Sequence, residues 1–254
     1  MPRIAFNTAN LVAQFTNWSF KLEQWGDQEK SVIAQMDEAR WHKTCEQIAD
    51  AGYDAVELWI AHAHPSVMNE AAAKKRRATL DAHGLTPIAM GCALTEQNAQ
   101  VCQWMGIPLC CGNYDAPVTL DAIRQTQRDT GIKFALENHP QATSQAIRDR
   151  IDNGVDGIGV AVDTGWLGTQ GFDAPTAIRE LGSLVQHVHI KDVKAAGGHE
   201  TVPLGTGCVD LEGLFVALKE IGYAGDFAWE DEPENRNPFD IASDMRSWIA
   251  ERVS

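Results

Sequence analysis

Nowhere in this chain do apolar residues run on for the roughly 20 positions that a membrane-spanning helix needs. The first residues, Met1-Pro2-Arg3-Ile4-Ala5-Phe6-Asn7, show neither the apolar stretch nor the small-residue cleavage site of a secretory signal. The expectation is a soluble, cytoplasmic protein with no membrane partner. Cysteine is sparse and unpaired by pattern. Cys45, Cys92, Cys102, Cys110, Cys111 and Cys208 contain no CxxC pair, which favours buried free thiols over disulfides or a zinc knuckle. Positive charge is short too, with 21 basic against 35 acidic residues and a net charge of −14. A surface that negative repels phosphate backbones, so nucleic acid is a poor partner. Neither GxGxxG nor GxxxxGK[ST] follows the first apolar run, which argues against a dinucleotide or P-loop fold. With no low-complexity tract and no Pro/Ser-rich linker, residues 1–254 read as one domain.

What the chain does have is an alternation. Short β-type runs occur at Arg3–Asn7, Asp54–Trp59, Thr86–Cys92, Ile107–Cys111, Lys133–Glu137, Ile158–Asp163, Val185–Ile190 and Phe227–Glu230. Helical patterns lie between them, among them Glu38–Ala51, Asn69–His83, Thr119–Thr130, Thr143–Asn153, Ala174–Leu181 and Leu211–Ile221. Several of these stop at a glycine able to take the left-handed conformation: Gly52, Gly84, Gly131, Gly154, Gly182 and Gly222. Eight strands alternating with helices predict a parallel α/β sheet, and eight such units close into a single (β/α)8 TIM barrel. A doubly wound open sheet is the alternative. The connection after the first strand, Thr8–Asp37, is long and holds Phe15, Trp18, Phe20, Trp25 and a helical start near Gln28–Met36. Such loops form lids and substrate walls at the carboxyl face of barrels. Trp18 is the candidate substrate contact there; a satellite hydrophobic cluster is the plainer alternative.

Four strand patterns end in residues that bind metals: Glu137, Asp163, His189 and Glu230, spaced by 26, 26 and 41 residues. If these strands are neighbours, two Glu, one Asp and one His meet at the carboxyl end of the sheet. That mostly oxygen set suits one divalent cation, Mn²⁺ foremost, with Mg²⁺, Co²⁺ or Zn²⁺ compatible. Any one of them taken alone reads equally as a surface charge or a cap, as with Asp163 before Thr164-Gly165.

The segments Ala135-Leu136-Glu137-Asn138-His139, Val162-Asp163-Thr164-Gly165, His187-Val188-His189-Ile190-Lys191-Asp192 and Gly222–Glu230 resemble the strand-end motifs of the xylose-isomerase-like barrel superfamily. Gly52–Leu58 is similar to that family's second strand, and Gly205–Asp210 to its loop before the last helix. The superfamily includes sugar isomerases and epimerases, inosose isomerases and dehydratases, and endonuclease IV. The resemblance implies that Glu137, Asp163, His189 and Glu230 hold one cation, and that Glu137 and Glu230 act as an acid/base pair on opposite faces of a ketose. It also implies that homo-oligomers are common. One departure stands out, because the His often found three residues after the sixth-strand Asp is Trp166 here. With the missing histidines on earlier strands and the negative charge, this argues against DNA repair and loosens the tie to the epimerases.

Several further residues have two readings. Trp166 stacks on a sugar face or packs above the barrel. His139 shares the phase of Glu137 and serves as an acid or base near neutral pH, or shapes a turn with Pro140. Lys191 binds substrate oxygen, or pairs with Asp192 in solvent. Glu57 meets substrate hydroxyls or a neighbour of the metal, and His187 reads as a core histidine. The functional expectation is a divalent-metal-dependent sugar isomerase or epimerase acting on a ketose, inosose or related keto-sugar through a metal-stabilised enediolate. A lyase on the same platform (dehydratase, decarboxylase or 3-keto-glycoside eliminase) is the second reading, and a non-catalytic sugar-binding barrel the third.

Overall fold

The computed structural model describes residues 2–253. In chain order its elements are β1 (Ile4–Asn7), α1 (Trp25–Gln35), α2 (Glu38–Asp50), β2 (Ala55–Trp59), α3 (Glu70–Ala82), β3 (Thr86–Gly91), α4 (Glu96–Met105), β4 (Leu109–Gly112), α5 (Leu120–Thr130) and β5 (Lys133–Glu137). They continue with α6 (Ser144–Arg150), β6 (Gly159–Asp163), α7 (Thr164–Thr169), α8 (Ala174–Leu181), β7 (Val185–Ile190), the short β8 (Asp192–Val193) and β9 (Thr201–Val202), α9 (Leu211–Glu220), β10 (Phe227–Trp229) and α10 (Ala242–Val253). Eight parallel strands close in the order β1-β10-β7-β6-β5-β4-β3-β2, a TIM barrel, while β8 and β9 pair antiparallel outside it. Among the described residues no helix is long and apolar enough to cross a membrane.

Strand alternation separates two cores. Phe134, Leu136, Val160, Val162, Val188 and Trp229 point outward into the large strand–helix core. The inward residues form a small cluster rich in alanine, including Ala5, Ala55, Ala89, Ala135, Ala161 and Ala228. A barrel lined by methyl groups leaves space above for polar side chains. Five of the six alanines are followed, two residues further along the same face, by one: Asn7, Glu57, Glu137, Asp163 and Glu230; Ala89 is followed by Gly91. The register sets their heights. Ala161 pairs with Glu137 and with His187, and Asp163 pairs with His189, which pairs with Ala228.

The helices begin where short polar side chains accept a backbone N–H of the first turn, as Asp37, Asn69, Thr95, Thr119, Thr143, Asp173 and Asp210 do. Four sequence expectations differ from the structure. Helix α6 ends at Arg150 rather than Asn153, because Asp152 and Asn153 take φ of 50° and 53°. Gly182 has φ 56° but ψ −126°, which is not the left-handed helical region. Helices α4 and α10 were not among the expected ones. The polar start Glu96-Gln97-Asn98 hides the α4 stripe, while Ala242, Met245 and Ile249 make an apolar stripe on α10. Helix α1 starts at Trp25, three residues before the expected Gln28.

Candidate active site

The inward strand ends meet at one place. His189 is 1% exposed and is contacted at both ring nitrogens. Its Nδ1 lies 3.0 Å from Glu137 Oε1 and 3.3 Å from Glu230 Oε2, and its Nε2 lies 2.9 Å from Glu57 Oε1. Glu57 is fully buried and also takes His187 Nε2 at 2.6 Å and the Cys111 thiol at 3.0 Å. Burial pushes the Glu57 carboxyl up, but the two imidazoles outweigh it and hold the group well below the ordinary carboxylate range. Burial likewise opposes a charged His189, and Glu57 and Glu230 override it, raising its pKa well above the usual value.

Glu230 is fixed from β1, since Asn7 Nδ2 donates to its Oε1 at 3.1 Å. Its other oxygen, Oε2, is buried with no hydrogen-bond partner among the described residues. One donor atom each from Glu137, His189 and Glu230 falls within 4.8 Å of the others. Two carboxylates converging on one imidazole nitrogen, one oxygen being orphaned, is an arrangement that a cation satisfies and a single proton does not. The residues present therefore fit a divalent metal. Glu57 beneath them is the acceptor that would turn Nδ1 of His189 toward it.

Asp163 plays two parts at once. Its Oδ1 caps α7 by accepting from Trp166 N at 3.0 Å, so the capping alternative holds. Its Oδ2 faces the site, 2.9 Å from His139 Nε2 and 3.5 Å from Lys191 Nζ. Its donor atom groups with those of Glu137 and His139, next to the Glu137–His189–Glu230 set. Burial works against a charged His139, but Glu137 and the Asp163 hydrogen bond raise its pKa to about 9. Lys191 does not pair with Asp192. It is buried among Asp163, Glu230 and Glu232, whose charges outweigh its desolvation and raise its pKa well above normal. Its stem runs over Gly165, where a Cβ would collide with it.

Two adjoining hollows, of about 210 and 430 Å³, open above these residues and share Trp25, His139 and Glu232. Glu137, His189 and Glu230 line the larger one. Trp166 lines the smaller, its ring 4.6 Å from that of His139 and stacked on His199 at 5.6 Å and 28°. Both readings of Trp166 are thus partly met, because Nε1 is tied to Gln141 O at 3.2 Å while the ring faces the cavity. From the long first loop Phe20, Leu22 and Trp25 reach the hollow. Trp18 packs against the hydrophobic core and lines neither hollow.

Sequence reading missed Asn7, Cys111, His199 and Glu232. Asn7 ends the first β-run in phase with Ala5, a signal that was legible. Cys111 passed as a buried thiol, and His199 and Glu232 sit in loops without periodicity. All six cysteines are free as expected, although Cys208 is exposed.

Residues 45–252 match the xylose isomerase-like TIM barrel model, and the chain belongs to that family. It is similar to an inosose dehydratase from Clostridium beijerinckii, 27% identical over 195 residues, covering 63% of this chain and 64% of that protein. An L-ribulose-5-phosphate 3-epimerase UlaE from Salmonella paratyphi C is 37% identical over 77 residues, covering 29% of this chain and 26% of that one. The first matched inosose dehydratases are thus spanned over about half to two thirds of their length. Among solved structures, an L-ribulose 3-epimerase superposes with a TM-score of 0.74 at 19% identity, covering 100% of this chain and 95% of that one. The zinc-bound IOLI protein gives 0.66 at 17% identity, covering 99% and 96%. These two show the shared fold.

Proposed function

We propose that this chain is a metal-dependent sugar isomerase or epimerase acting on a ketose, inosose or related keto-sugar. One observation carries the reading: Glu137 and Glu230 approach the same nitrogen of His189 from β5 and β10, beneath an open cavity. The curated relatives are epimerases and inosose dehydratases, and one fold neighbour is named as a complex with D-allulose, all in keeping with a carbohydrate substrate.

A divalent cation held by Glu137, Asp163, His189 and Glu230 would polarise a substrate carbonyl and its neighbouring hydroxyl, lowering the pKa of the adjacent C–H. Glu137 removes that proton and Glu230 returns one to the other face. Asn7 holds Glu230 by one oxygen, and the other, without a hydrogen bond, faces His189 Nδ1 at 3.3 Å and Lys191 Nζ at 3.6 Å. Glu57 holds Nε2 of His189, and Lys191 balances the crowded carboxylates of Asp163 and Glu230. Trp166 and Glu57 remain candidates for shaping the substrate site, the second from below.

The test is proton exchange. Keto-sugars and inososes incubated in D₂O with added Mn²⁺ should gain deuterium α to the carbonyl without loss of mass. Glu137→Gln should abolish that gain by about 10²–10⁴-fold. A variant that still exchanges at the wild-type rate would remove Glu137 from the chemistry. Stoichiometric metal in the purified protein separates both catalytic readings from a non-catalytic sugar-binding barrel.

A lyase is the second reading, favoured by His139. It is one-third exposed in the cavity, bonded at one nitrogen to Asp163, and beside Trp166. A leaving group needs its own proton donor, and His139, lining both hollows, is the residue we assign to that role. Release of a fragment of lower mass in the same screen would select this reading.

A further inference from the structure

We propose that the site admits uncharged keto-sugars and rejects their phosphate esters and carboxylic acids. This rests on the sugar-enzyme reading above and narrows its substrate class.

Three features carry it, one in the cavity lining and two in the loops that follow the seventh and eighth barrel strands. First, the lining is poor in basic side chains. Lys191 is the only lysine or arginine among the described lining residues, and Asp163, Glu230 and Glu232 enclose it. Seven carboxylates line the two hollows, Glu29, Glu57, Glu137, Asp163, Glu230, Glu232 and Glu234, and they outnumber the positive charge that Lys191, a divalent cation and the lining histidines His139, His189 and His199 could supply together.

Second, the backbone station for an anion is already filled from within. Barrels often seat phosphate in the loops after the seventh and eighth strands, where N–H groups converge. In this chain the N–H groups of Gly205 and Gly207 donate to Asp192 Oδ2 at 3.0 and 2.9 Å. Those of Val193 and Val209 donate to Oδ1 at 2.9 and 3.2 Å. Asp192 is 1% exposed, and a Cβ on Gly207 would overlap its carboxylate. The chain thus supplies its own anion there, and an incoming phosphate finds these four donors taken.

Third, the loop after the eighth barrel strand commits its arginine internally, since Arg236 forks onto Asp231 at 2.7 and 2.9 Å. What remains to grip a substrate is aromatic: Phe20, Trp25 and Trp166, with His199 stacked behind. Such a wall holds the C–H face of a neutral ring.

The experiment compares a free ketopentose with its 5-phosphate on the Mn²⁺-supplemented protein, by α-proton exchange in D₂O and by quenching of tryptophan fluorescence. The free sugar should quench and exchange, with kcat/KM for the ester at least 100-fold lower. That gap should narrow as ionic strength rises, because screening weakens repulsion. Glu234→Lys should raise the ester-to-sugar ratio of kcat/KM by tenfold or more. An ester handled as well as the free sugar overturns the proposal, as does a ratio unmoved by both salt and Glu234→Lys. Absence of quenching and exchange with either compound, and with an inosose, sinks the sugar-enzyme reading itself and this inference with it.

Discussion

Glu57 lies directly beneath His189, its carboxylate 2.9 Å from Nε2, so that Nδ1 of the same ring faces Glu137 and Glu230. Strand β2 thereby orients a side chain of β7 on the far side of the barrel. A carboxylate behind a ligating histidine fixes the ring's tautomer and raises its basicity. Glu57→Gln keeps the shape but removes the charge, and should weaken Mn²⁺ or Zn²⁺ binding by about 10–100-fold in calorimetric titration. Unchanged affinity would separate Glu57 from any metal held at His189.

His139 decides between the two catalytic readings. His139→Ala should cost an isomerase or epimerase little beyond substrate positioning, a few-fold in KM. In a lyase it should lower kcat by about 10²–10⁴-fold. Product analysis by NMR across the accepted substrates, alongside the rates, reads the difference.

His62 supplies a pH dependence well away from the strand-end carboxylates. It is fully buried, takes Gln14 Nε2 at Nε2 over 3.0 Å, and has no hydrogen-bond partner at Nδ1 among the described residues. Burial first, and then the Arg76 charge, push its pKa down to about 3. The folded protein keeps the ring neutral while the unfolded chain protonates it near pH 6.5, so the unfolded state binds more protons in between. The stabilising contribution is complete above about pH 6.5 and is lost as pH falls toward 3. Between pH 8 and pH 5 it amounts to about 2 kcal/mol. Denaturant titrations at both pH values should show His62→Gln with a loss smaller than wild type by that amount; parallel curves would contradict it.

Asp192 is worth testing as a structural anion. Four backbone N–H groups end on its carboxylate. Asp192→Ala should destabilise the protein by about 3 kcal/mol, seen as a fall in Tm on the order of 10 °C. Asp192→Asn, which still accepts at one oxygen, should recover part of it.

Much of the site was legible in advance for one reason. A parallel barrel strand is a short alternating run, and its last inward residue is marked by where that run stops. Glu137, Asp163, His189 and Glu230 each stand at such a stop, and the alternation that aims His189 inward also aims Lys191. The partner of Lys191 was misread because Asp192 is its neighbour in sequence. The same alternation turns Asp192 away, toward Gly205 and Gly207. Trp18 looked equivalent to Trp25 because an irregular loop carries no period from which to tell which aromatic faces the cavity.

The sequence by itself determined the barrel and the strand ends that could carry ligands, because strand, helix and cap preferences are local. Tertiary structure alone decided the partners. Asn7 reaches Glu230 across 223 residues, and Glu57 reaches His189 across 132. Those pairings arise from closing β1 onto β10 and from the stagger of the strands, and no local preference encodes either. Closure also enclosed Lys191 among three carboxylates, and the loop fold set four N–H groups around Asp192. The charge balance of the cavity, and with it the class of sugar we expect there, follows from those two events.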